Sequence, residues 1–151
     1  MWPSPGLRCA AEAMLSENPS TFGFEIEIHK KIKPGSGIGS SAASAAGAVY
    51  GINELMGKPL SAHDLIQYAM EGECLASGSP HADNVAPVLL GGFTLVRSTK
   101  PLDVIKLPCP SELKAIVLHP KIELKTMHAR EILKNNVPLK KAIKQWGNLD
   151  L

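Results

Sequence analysis

Cysteine is scarce in this sequence of 151 residues: Cys9, Cys74 and Cys109 are odd in number, widely spaced and never in a C-x-x-C pair. That excludes a disulfide framework or thiolate zinc site as an expectation and points to reduced thiols in a cytoplasmic protein. Charge of one sign is also scarce, since 16 Lys and Arg stand against 14 Asp and Glu for a net charge of +2. So small an excess implies no nucleic-acid partner. The basic residues that gather between Lys114 and Lys144 have few aromatics among them and read as a solvated face. The start, Met1-Trp2-Pro3-Ser4-Pro5, lacks the basic and apolar regions of a secretory signal. The longest small-apolar run, Ala42 to Val49, falls far short of the roughly 20 residues of a membrane span, so no membrane partner is expected. Internal repeats and low-complexity segments are missing too.

What is present is enough apolar material for a core, 44% of the chain. The first dozen residues read as an irregular start, with Ala10 to Leu15 as the end of a helix. Phe24-Glu25-Ile26-Glu27-Ile28-His29 alternates strictly and predicts a half-buried strand. Ser40 to about Leu55 predicts a helix rich in Ala and Gly. A second helix begins at Ser61, with Asp64 three residues later as a capping box, and runs to about Ala76. Strands are expected at Phe93 to Arg97, Val104-Ile105, Leu113 to Leu118 and Lys121 to Leu124. Two short helices close the chain. Thr126 caps one, which carries Ala129, Ile132 and Leu133; Asn136 caps the other, with Leu139, Ala142, Ile143 and Trp146 at helical spacing.

Between the first strand and the first long helix lies Pro34-Gly35-Ser36-Gly37-Ile38-Gly39-Ser40-Ser41-Ala42-Ala43. Three glycines in five residues let backbone N–H groups converge on one concavity, because no Cβ blocks the approach. The serines open a helix whose free N–H groups and dipole favour an anion. Three familiar phosphate loops do not fit. The nucleotide-triphosphatase loop needs Lys where Ser40 stands; the dinucleotide fingerprint needs its third glycine one residue later; a protein-kinase loop needs downstream signatures that are missing. What remains is a loop supplying backbone donors and a hydroxyl but no lysine, or a plain tight turn.

Two further clusters carry chemistry. On the second helix Leu65, Ile66, Ala69 and Ala76 mark an apolar face, and Glu73 projects from the middle of it while Glu71 points to solvent. A carboxylate on a buried face is costly unless paired or bound to a cation. A salt bridge would satisfy it. So would Mg²⁺ held by one carboxylate, a hydroxyl such as that of Ser41, and nucleotide oxygens. His81-Ala82-Asp83-Asn84 then concentrates three polar side chains ahead of the apolar Val85 to Leu90. Ordinary turn chemistry accounts for such a run, yet its apolar sequel places it near the core. Arg130 flanks an apolar helix face and could take a carboxylate, although taken alone it reads as a surface residue.

Together the glycine loop and His81-Ala82-Asp83-Asn84-Val85-Ala86-Pro87, followed by Leu90-Gly91-Gly92-Phe93, resemble the GHMP small-molecule kinase superfamily, and within it the homoserine kinases. The resemblance covers Gly23 to Asn148. It implies an α+β fold: a ribosomal S5 domain 2-like N-terminal domain over residues 1–98, then the beginning of a ferredoxin-like C-terminal domain over 99–151. It implies ATP-dependent phosphorylation of L-homoserine on the route to threonine, with ATP and Mg²⁺ as cofactors. Pro34, Gly35, Ser36, Gly37, Ile38, Gly39, Ser40, Ser41, Ala42, Ala43 and Ser44 would cradle the ATP phosphates, while Ser41 and Glu73 would hold Mg²⁺. His81, Asp83 and Asn84 would line the homoserine site, and Arg130 would bind its carboxylate. Glu73, Asp83 and Asn84 would be the catalytic residues. Members of the family are longer at both ends, so a fragment is expected, with unpaired sheet edges that favour self-association, a homodimer being the simplest form. Another GHMP kinase, or a nucleotide-binding fragment without turnover, are the alternatives.

Overall fold

The computed structural model describes residues 4–77, 80–118 and 136–146. The expected strand at 121–124, the helix carrying Ala129, Ile132 and Leu133, Arg130 and the side chain of Ala76 lie outside the described residues.

Helix α1 spans Pro5–Glu17, so the helical end expected at Ala10 to Leu15 is present and the irregular start expected before it is helical as well. The Ser4 hydroxyl accepts a hydrogen bond from the Leu7 N–H at 3.3 Å, and Pro5 occupies the first turn, where its missing N–H costs nothing. Leu7, Ala10, Ala11 and Met14 recur at helical spacing and are buried. Full burial of a Leu- or Met-sized side chain contributes roughly 1.5–3 kcal/mol, so α1 belongs to the core.

Helix α2, Ser40–Leu55, matches its expected range. Its small residues Ala42, Ala45 and Ala46 are buried with Val49 and Ile52. Near its end the buried Asn53 amide donates to the Leu60 carbonyl at 3.0 Å and accepts from the Leu60 N–H at 3.1 Å, tying down the turn to the next helix. Helix α3, Asp64–Ser77, opens on the expected capping box. The Asp64 carboxylate accepts from the Ser61 N–H at 3.1 Å and hydroxyl at 2.6 Å, and the Asp64 N–H donates back to that hydroxyl at 3.2 Å.

The three helices meet at glycines. A Cβ on Gly72 of α3 would overlap the Gly6 carbonyl oxygen of α1, and would sit 2.9 Å from the Ala45 Cβ and 3.1 Å from the Ala10 Cβ. The helix axes approach this closely only because no side chain intervenes. Short helix α4, Val85–Leu90, packs against α2 and α3 through buried Val85 and Ala86.

Strands β1, Phe93–Thr99, and β2, Leu102–Leu107, form an antiparallel hairpin with a bulge between Val96 and Ser98. Val96, Leu102 and Val104 turn toward the helical core. Phe93 pairs with Leu107 and Leu95 with Ile105, and these four face outward, each at least 37% exposed. Helices packed beside a small antiparallel sheet make the fold α+β, as expected.

Two expected strands do not form. Residues 24–29 make no ladder, although their burial alternates and Phe24 and Ile26 pack against the core. Alternation reports which side chains face the core, whereas a strand also needs a hydrogen-bonding neighbour. Among the described residues none lies beside this segment. Leu113 to Leu118 is likewise unpaired, with Ile116 90% exposed. The last described helix, α5, spans Leu139–Trp146. Its first bonds run from the Lys141 and Ala142 N–H groups to the Pro138 carbonyl, so the helix starts there and not from a cap at Asn136.

Candidate active site

The glycine loop hangs between the segment ending at Lys33 and the first turn of α2. Gly35, Gly37 and Gly39 all take left-handed φ values, 74°, 75° and 75°. An L side chain disfavours this region, so glycine at alternate positions is what the path requires. Gly39 is the N-cap of α2 and provides no side-chain cap. The first helical bond runs from the Ala43 N–H to the Gly39 carbonyl at 2.9 Å. The N–H groups of Ser40, Ser41 and Ala42 therefore precede the helical ladder.

Hydroxyl groups here divide in role. Ser40 is buried and donates to the Ile32 carbonyl at 3.1 Å. Ser44 is buried one turn on and donates to the Ser40 carbonyl at 3.1 Å. Ser41 lies exposed on the first turn. The Ser36 hydroxyl oxygen is buried inside the loop and has no hydrogen-bond partner among the described residues. Pro34 and Ile38 are exposed, Ala43 is half-buried, and Ala42 points into the core. The N–H groups of the first turn and the Ser36 and Ser41 hydroxyls thus lie in one stretch, residues 34–44, that carries no carboxylate. That donor set fits an anion such as a nucleotide polyphosphate.

Helix α3 runs back along α2, so its later turns lie beside the loop end of α2. Gly72 touches Ala45, Glu73 follows Gly72, and Ser41 precedes Ala45 by one helical turn. Ser41 and Glu73 thus sit on neighbouring helices, one turn before Ala45 and one residue after Gly72. Glu73 is 6% exposed, consistent with its place on the apolar face beside buried Leu65, Ile66 and Ala69; Glu71 is exposed.

The His81 block reaches the same place from another direction. His81 is half-buried and Ala82 buried, while Asp83 and Asn84 are exposed at the start of α4. Asn84 occupies the N-cap position but makes no side-chain cap bond. A Cβ on Gly39 would lie 3.8 Å from the Asn84 Oδ1. Two loops 45 residues apart in sequence therefore adjoin at Gly39 and Asn84. Arg130 lies outside the described residues. A separate groove of about 470 Å³ between α1 and α3, bordered by Glu12, Glu17, Tyr68 and Glu71, includes none of these residues.

Sequence reasoning missed Lys30. Its ammonium donates to the Ser40 carbonyl at 3.1 Å and to the Ser44 hydroxyl at 2.8 Å, putting a cation against the first turn of α2. The cluster Lys30-Lys31-Ile32-Lys33 just before the glycines was the available signal.

Comparison with known proteins accords with this geometry. The profile of the GHMP kinases N terminal domain matches residues 7–92, more than half of the sequence and inclusive of both loops. The chain belongs to the GHMP kinase family. Among relatives of this GHMP kinase chain, the homoserine kinase of Chlorobium phaeobacteroides (strain DSM 266 / SMG 266 / 2430) is 50% identical over 126 residues, which cover 83% of this chain and 39% of the relative. That of Methanococcus vannielii is 47% identical over 137 residues, covering 91% and 45%. The crystal structure of homoserine kinase from Cytophaga hutchinsonii ATCC 33406 superposes with a TM-score of 0.89 at 50% identity, covering 96% of this chain and 46% of that one. The chain spans less than half the length of each of these relatives. Among the described residues, no helix is long and apolar enough to cross a membrane.

Proposed function

We propose that this chain carries the phosphate-binding part of a cytoplasmic kinase that transfers the γ-phosphoryl group of ATP to the hydroxyl of L-homoserine. The bond from the γ-phosphorus to the β-bridging oxygen breaks, ADP leaves, and the homoserine oxygen releases its proton to solvent as its bond to the γ-phosphorus forms. The observation that carries this reading is the 50% identity over 126 residues to a homoserine kinase. The junction of the two loops at Gly39 and Asn84 supports it, because it brings the glycine loop beside polar side chains suited to an amino acid.

In this reading the backbone from Pro34 to Ser44 holds the ATP phosphates, and His81, Asp83 and Asn84 face homoserine, with Asp83 toward its amino group and Arg130 toward its carboxylate. Among the described residues no group of three or more His, Cys, Asp or Glu is placed to cage a metal. A single carboxylate with a hydroxyl, Glu73 and Ser41, suits Mg²⁺, which completes its shell with nucleotide oxygens and water and would neutralise charge on the phosphates. Catalysis is then mainly positioning and charge neutralisation. The division at residues 98 and 99 belongs to the same reading. So does homodimeric association, favoured by the four apolar side chains on the outer face of the hairpin.

Calorimetry with Mg-ATP followed by a coupled ADP-release assay tests the reading. Binding is expected, with L-homoserine preferred over mevalonate and galactose. Preference for either of those would assign the chain to another GHMP activity, and binding without turnover would make it a nucleotide-binding module. Glu73→Gln should lower the ratio of Mg-ATP to metal-free ATP affinity. An unchanged ratio would argue for a purely structural carboxylate.

A further inference from the structure

We infer that Lys30 is a positioning residue that closes the phosphate loop, an inference that rests on the phosphate-binding reading above. The loop joins two anchors, residues 30–32 before it and 40–44 after it. Three hydrogen bonds from two donor groups clamp them: the Lys30 ammonium to the Ser40 carbonyl at 3.1 Å and to the Ser44 hydroxyl at 2.8 Å, and the Ser40 hydroxyl to the Ile32 carbonyl at 3.1 Å. The Ser44 hydroxyl completes a closed triangle by donating to the Ser40 carbonyl at 3.1 Å. Without the clamp, a segment with three glycines would sample many backbone conformations, and ligand binding would have to offset the cost of ordering it.

The chemical identity of the residue carries the argument further. The start of a helix bears positive partial charge, so an ammonium there is placed against the dipole. A neutral donor would make the same clamp without that repulsion. The ammonium suits this position if a polyanion occupies the loop, because it then adds to the amide donors instead of opposing them. The two roles are coupled. Lys30 orders the loop and sets a positive charge against the first turn of α2, while its donors remain on Ser40 and Ser44.

The test uses the full 151-residue chain, with Mg-ATP and inorganic tripolyphosphate as probes in calorimetry. K30M should weaken both ligands about tenfold or more, the scale of losing a charged hydrogen-bond donor. K30R should recover most of the affinity, since it keeps both the charge and the donors. S44A, which keeps the charge and removes one arm of the clamp, should fall between wild type and K30M. K33M removes a neighbouring exposed charge without touching the clamp and should change affinity no more than about twofold.

K30M binding within a factor of two of wild type, or K33M weakening as much as K30M, would overturn the inference. If K30M fails to fold, S44A decides, and wild-type affinity in S44A overturns it. A wild-type chain that binds neither probe would instead refute the phosphate-site reading, so the two failures are distinguishable.

Discussion

Replacing Gly72 by Ala adds one methyl group to a helix, a change that ordinarily stabilises by about 1 kcal/mol through helix propensity. Here the methyl would enter the contact of three helices. It would overlap the Gly6 carbonyl oxygen and come within 2.9 Å of the Ala45 Cβ and 3.1 Å of the Ala10 Cβ. None of these is the far end of a flexible side chain, so relief requires α1 or α2 to move. Overpacking of this kind costs about 1–3 kcal/mol, and backbone contact argues for the upper end. Subtracting the propensity gain leaves a net loss of about 2 kcal/mol, or a fall in Tm of about 4–8 °C for a chain of this length. Gly47→Ala supplies the control. An added Cβ at Gly47, within α2, meets nothing within 4 Å, so the same substitution should stabilise, by up to about 1 kcal/mol. Thermal and urea melts followed by far-UV circular dichroism read both signs. A Gly72→Ala chain at least as stable as wild type would refute the close packing of α1 on α3.

Gly39→Ala meets only ordinary contacts 3.8–3.9 Å away at Asn84, so its cost is the left-handed backbone, about 1–2 kcal/mol in the melt; Mg-ATP affinity should fall with it in calorimetry. Ser61→Ala removes the capping box and should cost about 1 kcal/mol at neutral pH. The Ser61 hydroxyl and N–H hold the Asp64 carboxyl below its ordinary range, so the box contributes fully above about pH 4 and fades as pH falls through the lowered value; the gap between wild-type and Ser61→Ala melts should shrink in acid. Tyr68→Phe removes the hydroxyl that donates to Glu17 at 2.7 Å and accepts from Asn18 at 3.2 Å, for a loss of about 1 kcal/mol in urea melts. Burial and then the bond to Glu17 raise the Tyr68 phenol. Its contribution is therefore complete below about pH 10 and lost as pH climbs through the raised value, a loss the Phe variant should not show.

Elements whose causes are local were legible in the chain itself. Helix α2 carries its own start in Gly39 and its own buried face in Ala42, Ala45, Ala46 and Val49. Ser61 and Asp64 announce α3, and the apolar spacing around Glu73 placed that carboxylate correctly on the buried face. Helix α1 has local causes too, in Ser4-Pro5 followed by apolar residues at 7, 10, 11 and 14, but prolines and a glycine suit an irregular start as well as a helix cap. Residues 24–29 show the converse. Their alternation is real, yet pairing depends on a neighbour that the segment does not encode.

The left-handed glycine path, the donor-rich opening of α2 and the polar block from His81 to Asn84 follow from residues a few positions apart, so the order of the amino acids specifies them. Folding of the whole chain is what sets Asn84 beside Gly39, lets α3 lie against α1 and α2 at Gly72, and carries Lys30 across the loop to Ser40 and Ser44. Such contacts join residues from 10 to 66 positions apart. They arise from the path of the whole chain and the burial of its helices against one another, which no short run of residues specifies.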